Sequence, residues 1–200
     1  MKLQAVPTKP LPAPGLSLVH TGLATMSLDF EYGPAIPAQP RIWARGRQPY
    51  DDWERHPPRS LTRLDDRTAP PLKRAMEDIA AGWRIGEVLV KDVSFIWLVD
   101  ISGQIWIAVE ELVVGGQSLG VPKLRHTKAD KLGHPALVNC GNARIAGEII
   151  CDFDPDPPEW LINNLSARYG THRSRTDLHL QNVAKVFARF GITLTSKFQS

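Results

Sequence analysis

Twelve of the seventeen prolines stand before residue 72, and no other feature restricts the possible folds of this 200-residue chain more. Proline removes a backbone donor and drives the preceding residue out of the helical region, so this part is expected to be extended or loop-rich. It carries "PTKPLPAPG", "YGPAIPAQP", "RGRQPYDDWERHPPR" and "DDRTAPP". Phe30, Tyr32, Trp43, Tyr50 and Trp53 are apolar anchors that a plain linker would lack. We therefore divide the chain into a flexible tail over 1–15, a Pro-rich irregular arm over 16–67 that packs on the rest, and an α+β domain over 68–197.

Regular structure is legible from residue 68. "TAPPLKRAMEDIAAG" predicts a helix, with prolines at its start, where an N–H is not needed, and Leu72, Ala75, Met76 and Ile79 on one face. Gly82 suits its end. "IGEVLV", "SFIWLVDIS" and "QIWIAVEELVV" predict strands. The last two form a hairpin turning at Ser102-Gly103, with Trp97 and Trp106 as cross-strand neighbours. "GGQSLG" reads as a turn and "KLRHTK" as a short strand. "HPALV" and "ARIAGEIICDF" read as a buried strand pair around a turn at "NCGN". "DPDPP" is a loop, "EWLINN" a strand and "LSARYGTHRSR" a polar loop. "TDLHLQNVAKVFARFG" is an amphipathic helix capped by Thr176, with Leu180, Val183, Ala184, Phe187 and Phe190 as its apolar stripe and Gly191 as its stop; "ITL" adds a last strand. Strands grouped between helices predict an α+β domain with a central antiparallel sheet and the C-terminal helix packed on it.

Composition narrows the function classes. A net charge of +3 is weak evidence for nucleic acid, so any such argument must rest on local clusters. No apolar run approaches the ~20 residues of a membrane-spanning helix. The first sixteen residues lack the apolar core of a signal peptide, so a cytoplasmic origin is expected, with any export by another route. Cys140 and Cys151, the only cysteines, read as buried thiols without a zinc framework. "VVGGQSLG" lies between strands and does not open a helix as a phosphate loop does. "DFDPDPPE" lacks the glycine and distal acid of a calcium loop, and "DDWE" reads as a solvated acidic run. No metal site is expected.

Two stretches carry candidate chemistry. In "KLGHPALVNCGNARIAGEI", His134, Arg144 and Glu148 stand among small and apolar residues. A carboxylate at the edge of an apolar strand must be paired or neutralised, and a glycine beside it suits a pocket wall that a ligand approaches closely. In "NNLSARYGTHRSRT", Asn164, Ser166, Arg168, Tyr169 and Arg173 precede a helix N-terminus, a setting that suits an anion such as phosphate or a nucleic-acid backbone. Structural hydrogen bonding is the competing reading for both stretches.

Taken in order, His134, Ala146-Gly147-Glu148 and Ser166 to Tyr169 resemble a domain at the C-termini of bacterial polymorphic toxins and secreted effectors, found also in plant IQ-motif calmodulin-binding proteins. The resemblance covers about half the chain. Pro135 and Ala136 replace a pair of serines, Ala167 replaces a glycine, and Arg168 replaces a histidine. No IQ motif is present. The resemblance implies an enzyme or a host-protein binder, delivered to a target cell and held in check by a cognate immunity protein. As an enzyme, the leading expectation is a transferase acting on a nucleotide or other phosphate-bearing ligand. Glu148, His134 and Tyr169 would be catalytic, with Arg144, Asn164, Ser166, Arg168 and Arg173 binding the ligand. Histidine, tyrosine and glutamate together are similar to the ADP-ribosyltransferase set, which uses NAD, although there the glutamate comes last in the chain. The alternatives are a non-catalytic protein-interaction module and a nucleic-acid binder using Arg168, Arg173 and Arg175.

Overall fold

Strand β2 (Phe95–Asp100) is apolar at every position but its last, and its four middle residues are buried. A strand of this kind must be covered on both faces. The computed structural model, which describes residues 28–40, 49–82, 93–124 and 127–200 together with Glu87 and Lys91, shows how. The expected tail over 1–15, Trp43, most of "IGEVLV", and Arg125 and His126 lie outside the described residues.

The chain is α+β. The main sheet has six strands in the order β1-β3-β2-β7-β8-β9. These are β1 (Thr62–Arg63), β3 (Ile105–Val109), β2, β7 (Ala143–Asp152), β8 (Glu159–Asn163) and β9 (Thr195–Lys197). All neighbours are antiparallel except β8 and β9, which run parallel. A smaller sheet, β5-β4-β6, comprises β4 (Glu111–Val114), β5 (Gln117–Pro122) and β6 (Asp130–Lys131).

One face of the main sheet carries Trp97, Val99, Ile107, Ile145, Ile149 and Ile162, and packs on two helices. Helix α1 (Ala69–Ala81) supplies Met76, which is 3% exposed, with Leu72 and Ile79 beside it. The Trp160 indole N–H donates to the Met76 carbonyl at 3.2 Å, tying α1 to β8. Helix α2 (Asp177–Arg189) buries Leu180, Val183 and Phe187. Gly191 ends it in the left-handed region, at φ 74°.

The other face carries Ile96, Leu98, Ala108 and Ala146, and irregular chain covers it: Ala38 from the arm, a 3-10 turn over His134–Val138, and Tyr169. The Pro-rich arm is stitched in. Ile36 and Ala143 exchange backbone hydrogen bonds of 2.9 and 3.0 Å, and β1, also from the arm, pairs with β3.

Four expectations are corrected. "QIWIAVEELVV" is two strands in two sheets, because the chain turns at Glu110. "GGQSLG" is mostly strand β5, with the turn confined to Gly115-Gly116 at φ 58° and 78°. "HPALV" is a 3-10 turn, as Pro135 in its second position permits. Trp97 pairs with Ile107 and Trp106 with Leu98, so the two tryptophans lie on opposite faces. In addition, the last strand begins at Thr195, just after "ITL", and Lys123-Leu124 at the start of "KLRHTK" belong to no strand.

Candidate functional site

The break between the two sheets, the arm and the loop after β8 together enclose a cleft of about 430 Å³. Glu54, Glu110, Lys123, His134, Ser166 and Arg168 all line it, and none is more than 8% exposed. Burying polar and charged groups costs stability unless each is satisfied. A fold that collects six of them around one hollow has the composition of a ligand site.

Each element delivers its group for a local reason. A 3-10 turn over Asp52–Arg55 presents Trp53 and Glu54, and the backbone N–H of Asp51 donates to Glu54 Oε2 at 2.9 Å. The Trp53 indole N–H donates to the Lys131 carbonyl at 3.3 Å, so the ring stands on the cleft wall. Glu110 occupies the break between β3 and β4. Its carbonyl accepts the Lys123 N–H at 2.7 Å and its carboxylate pairs with Lys131. A Cβ at Gly133 would lie 2.8 Å from Glu54 Oε1, so a side chain there would push that carboxylate aside. His134 follows it, with Nε2 at 2.9 Å from the Gly147 carbonyl.

The loop after β8 closes the opposite wall. The backbone N–H of Tyr169 donates to Ser166 Oγ at 3.4 Å. Arg168 Nη1 donates to the Gln39 carbonyl at 2.9 Å, and Nη2 lies 3.7 Å from Glu54 Oε2. Gln39 returns a hydrogen bond of 2.9 Å from its N–H to the Arg168 carbonyl, so the arm is fastened to the site loop. Four carboxylates (Asp51, Glu54, Glu110, Asp130) face four cations (Lys123, Lys128, Lys131, Arg168), and the cleft is close to neutral. Burial pushes His134 down to about 4, and Lys131 and Arg168 push the same way against Glu110, so its ring is neutral at pH 7.

Of the residues expected at a site, His134, Ser166 and Arg168 share this cleft. The others stand elsewhere. Tyr169 is fully buried beneath the sheet face, its hydroxyl donating to the Gly141 carbonyl at 2.8 Å, and burial raises its phenol well above the ordinary value. Asn164 is a clamp on the C-terminal segment: its Nδ2 donates to the Gln199 carbonyl at 2.9 Å and its Oδ1 accepts the Gln199 N–H at 2.7 Å. Arg144 is buried against Asp29, the Gly33 carbonyl and the Ile101 carbonyl. Arg173 is exposed. Glu148 is half-buried on β7 opposite Ile96, outside the cleft lining.

Gly147 is explained by the chain itself rather than by a ligand. A Cβ there would lie 1.8 Å from the Asn163 carbonyl oxygen, and one at Gly170 would lie 2.1 Å from the Ala146 carbonyl. The backbone crosses itself at these two glycines, and that crossing swings the site loop over the sheet face.

Sequence reasoning missed Trp53, Glu54, Glu110, Lys123 and Lys131. The signal available was "VEELVV", two glutamates inside an apolar run. They divide the work. Glu110 faces the cleft, whereas Glu111 is fully buried and accepts from Ser60 N (2.8 Å), Ser60 Oγ (2.7 Å) and Ser118 Oγ. Burial alone would raise Glu111, but these hydrogen bonds outweigh it and hold the carboxyl below its ordinary value. Neither free cysteine is a poised nucleophile: burial pushes the thiols of Cys140 and Cys151 up to about 11. Among the described residues no cluster of histidine, cysteine or carboxylates suits a metal ion, and no helix is long and apolar enough to cross a membrane. No family model, curated protein or solved structure matches the chain.

Proposed function

We propose that this chain is an effector- or toxin-like domain whose polar cleft binds a small phosphate-bearing ligand, with a nucleotide as the leading class. One observation carries the reading: six buried polar side chains converge on a single hollow beside the half-buried ring of Trp53. Lys123, Lys128 and Lys131 line the part that suits the anion, and Trp53 suits a sugar or base. As an enzyme the domain is a transferase taking NAD or a related nucleotide, and the residues that touch substrate are Glu110 and His134 rather than Tyr169. Delivery to a target cell and a cognate immunity protein follow from the motif resemblance alone.

Calorimetric titration of the full chain with NAD, adenosine 5′-monophosphate and inorganic phosphate tests the binding. Saturable binding that Lys131→Ala weakens about tenfold, the cost of one charge-assisted contact, supports the reading. Absence of binding by all three ligands contradicts it.

The nucleic-acid alternative rests on Arg168, Arg173 and Arg175, and only Arg173 is exposed. The interaction-module alternative has one observation in its favour, the edge strand β5, where Leu119 and Val121 are 48% and 46% exposed. Growth arrest on expression, relieved by Glu110→Gln in a folded variant, favours the enzyme over both.

A further inference from the structure

We infer that Nδ1 of His134 is a hydroxyl-reading group, and that the cleft is selective for ligands presenting a sugar hydroxyl to it. The inference rests on the reading of the cleft as a small-ligand site and deepens it.

The tautomer follows from one contact. Nε2 lies 2.9 Å from the Gly147 carbonyl oxygen, which can only accept, so Nε2 carries the proton and Nδ1 carries the lone pair. Among the described residues no hydrogen bond to Nδ1 forms, yet the ring is buried and lines the cleft. The atom is not sealed from solvent, so this acceptor is open to a donor from whatever occupies the hollow. The ring's neutrality, with its pKa held down to about 4 by burial, keeps that lone pair available throughout the physiological range.

The surroundings select the kind of donor. The carboxylates of Asp51, Glu54 and Glu110 line the same hollow and also accept. Arg168 is engaged with the Gln39 carbonyl and Glu54, and Lys131 with Glu110. A phosphoryl oxygen beside His134 would set acceptor against acceptor. A hydroxyl satisfies Nδ1 and can accept from a cation at the same time, and the ring of a sugar has an apolar face for Trp53. A ribonucleotide or sugar phosphate thus places its sugar at His134 and Trp53 and its phosphate toward the lysines.

The test compares adenosine 5′-monophosphate with its 2′,3′-dideoxy analogue on the full chain, with inorganic phosphate as the anion-only probe. The expected result is roughly tenfold weaker binding of the dideoxy compound, the net worth of one hydrogen bond. His134→Phe, which keeps ring volume, should abolish that difference. Should this variant fail to fold, imidazole ¹⁵N spectra of the wild-type chain decide. They should report the Nε2–H tautomer, with the Nδ1 resonance moving on addition of the ribonucleotide and not of the dideoxy compound. Equal affinity for the two nucleotides, or an Nδ1–H tautomer, overturns this inference while leaving the ligand cleft standing. Failure of all three probes to bind overturns both.

Discussion

Gly147 and Gly116 are both glycines in β-rich chain, but they are glycines for different reasons. At Gly147 a methyl group would collide with the Asn163 carbonyl, and neither strand can yield without moving the site loop. Gly147→Ala is expected to cost about 3 kcal/mol or more in chemical denaturation, the upper range of overpacking. Gly116, at φ 78° with nothing near its Cβ position, has only its backbone angle to defend, and Gly116→Ala should cost about 1 kcal/mol. Equal costs would contradict the self-crossing. Tyr169→Phe makes a parallel point for the site. It removes the hydrogen bond to Gly141 and should cost about 1 kcal/mol without changing ligand affinity, which calorimetry on the folded variant measures. Sequence could single out Gly147, Glu148 and Tyr169 as unusual; it could not tell a ligand's approach from the chain's own, because that depends on Asn163, 16 residues after Gly147, lying against it.

At the scale of elements, patterns of period two and 3.6 carried what they could. Helices α1 and α2, the hairpin at Ser102-Gly103, β7 and β8 all lie where apolar periodicity and turn residues put them. The elements that build the cleft are those with no period to read: two 3-10 turns, the break at Glu110, and a loop bent by Gly170. Glu54 reads as surface because its neighbours Asp51 and Asp52 are acidic, and only the tertiary approach of Arg168 and Gly133 encloses it. Glu111 holds the junction between the sheets, so Glu111→Ala should be among the costly changes. Leaving the Ser60 and Ser118 donors without their acceptor predicts a loss of about 2–3 kcal/mol in urea unfolding, against about 0.5 kcal/mol or less for the exposed Glu77.

For the molecule as a whole, the buried ionisable groups set how stability follows pH. His134 has a folded pKa of about 4, below the 6.5 of an unperturbed histidine. Between those values the unfolded chain binds a proton that the folded chain does not, so stability rises with pH there and is lost as pH falls from 6.5 toward 4, by at most about 1.4 kcal/mol per pH unit. His179 shifts the same way, from burial and then Arg175, and its Nδ1 accepts the Thr176 N–H that starts α2, a bond that protonation removes. Glu111, held below its ordinary value, adds a further loss on the acid side of the carboxylate range. The melting temperature should therefore fall steadily below pH 6.5, and His134→Phe should flatten that decline. A wild-type melting temperature unchanged between pH 7 and pH 5 would contradict the neutral buried ring.

The arm, the sheet junction and the site loop are brought together in the cleft. Amide ¹H–¹⁵N chemical-shift mapping during titration with adenosine 5′-monophosphate tests that meeting point most directly. The account predicts saturable shifts gathered on Trp53, Glu54, Lys123, Lys131, Gly133, His134 and Ser166 to Arg168, with Arg173 and strand β5 unmoved. Shifts confined to Arg173 or to β5, or none at all, would contradict it.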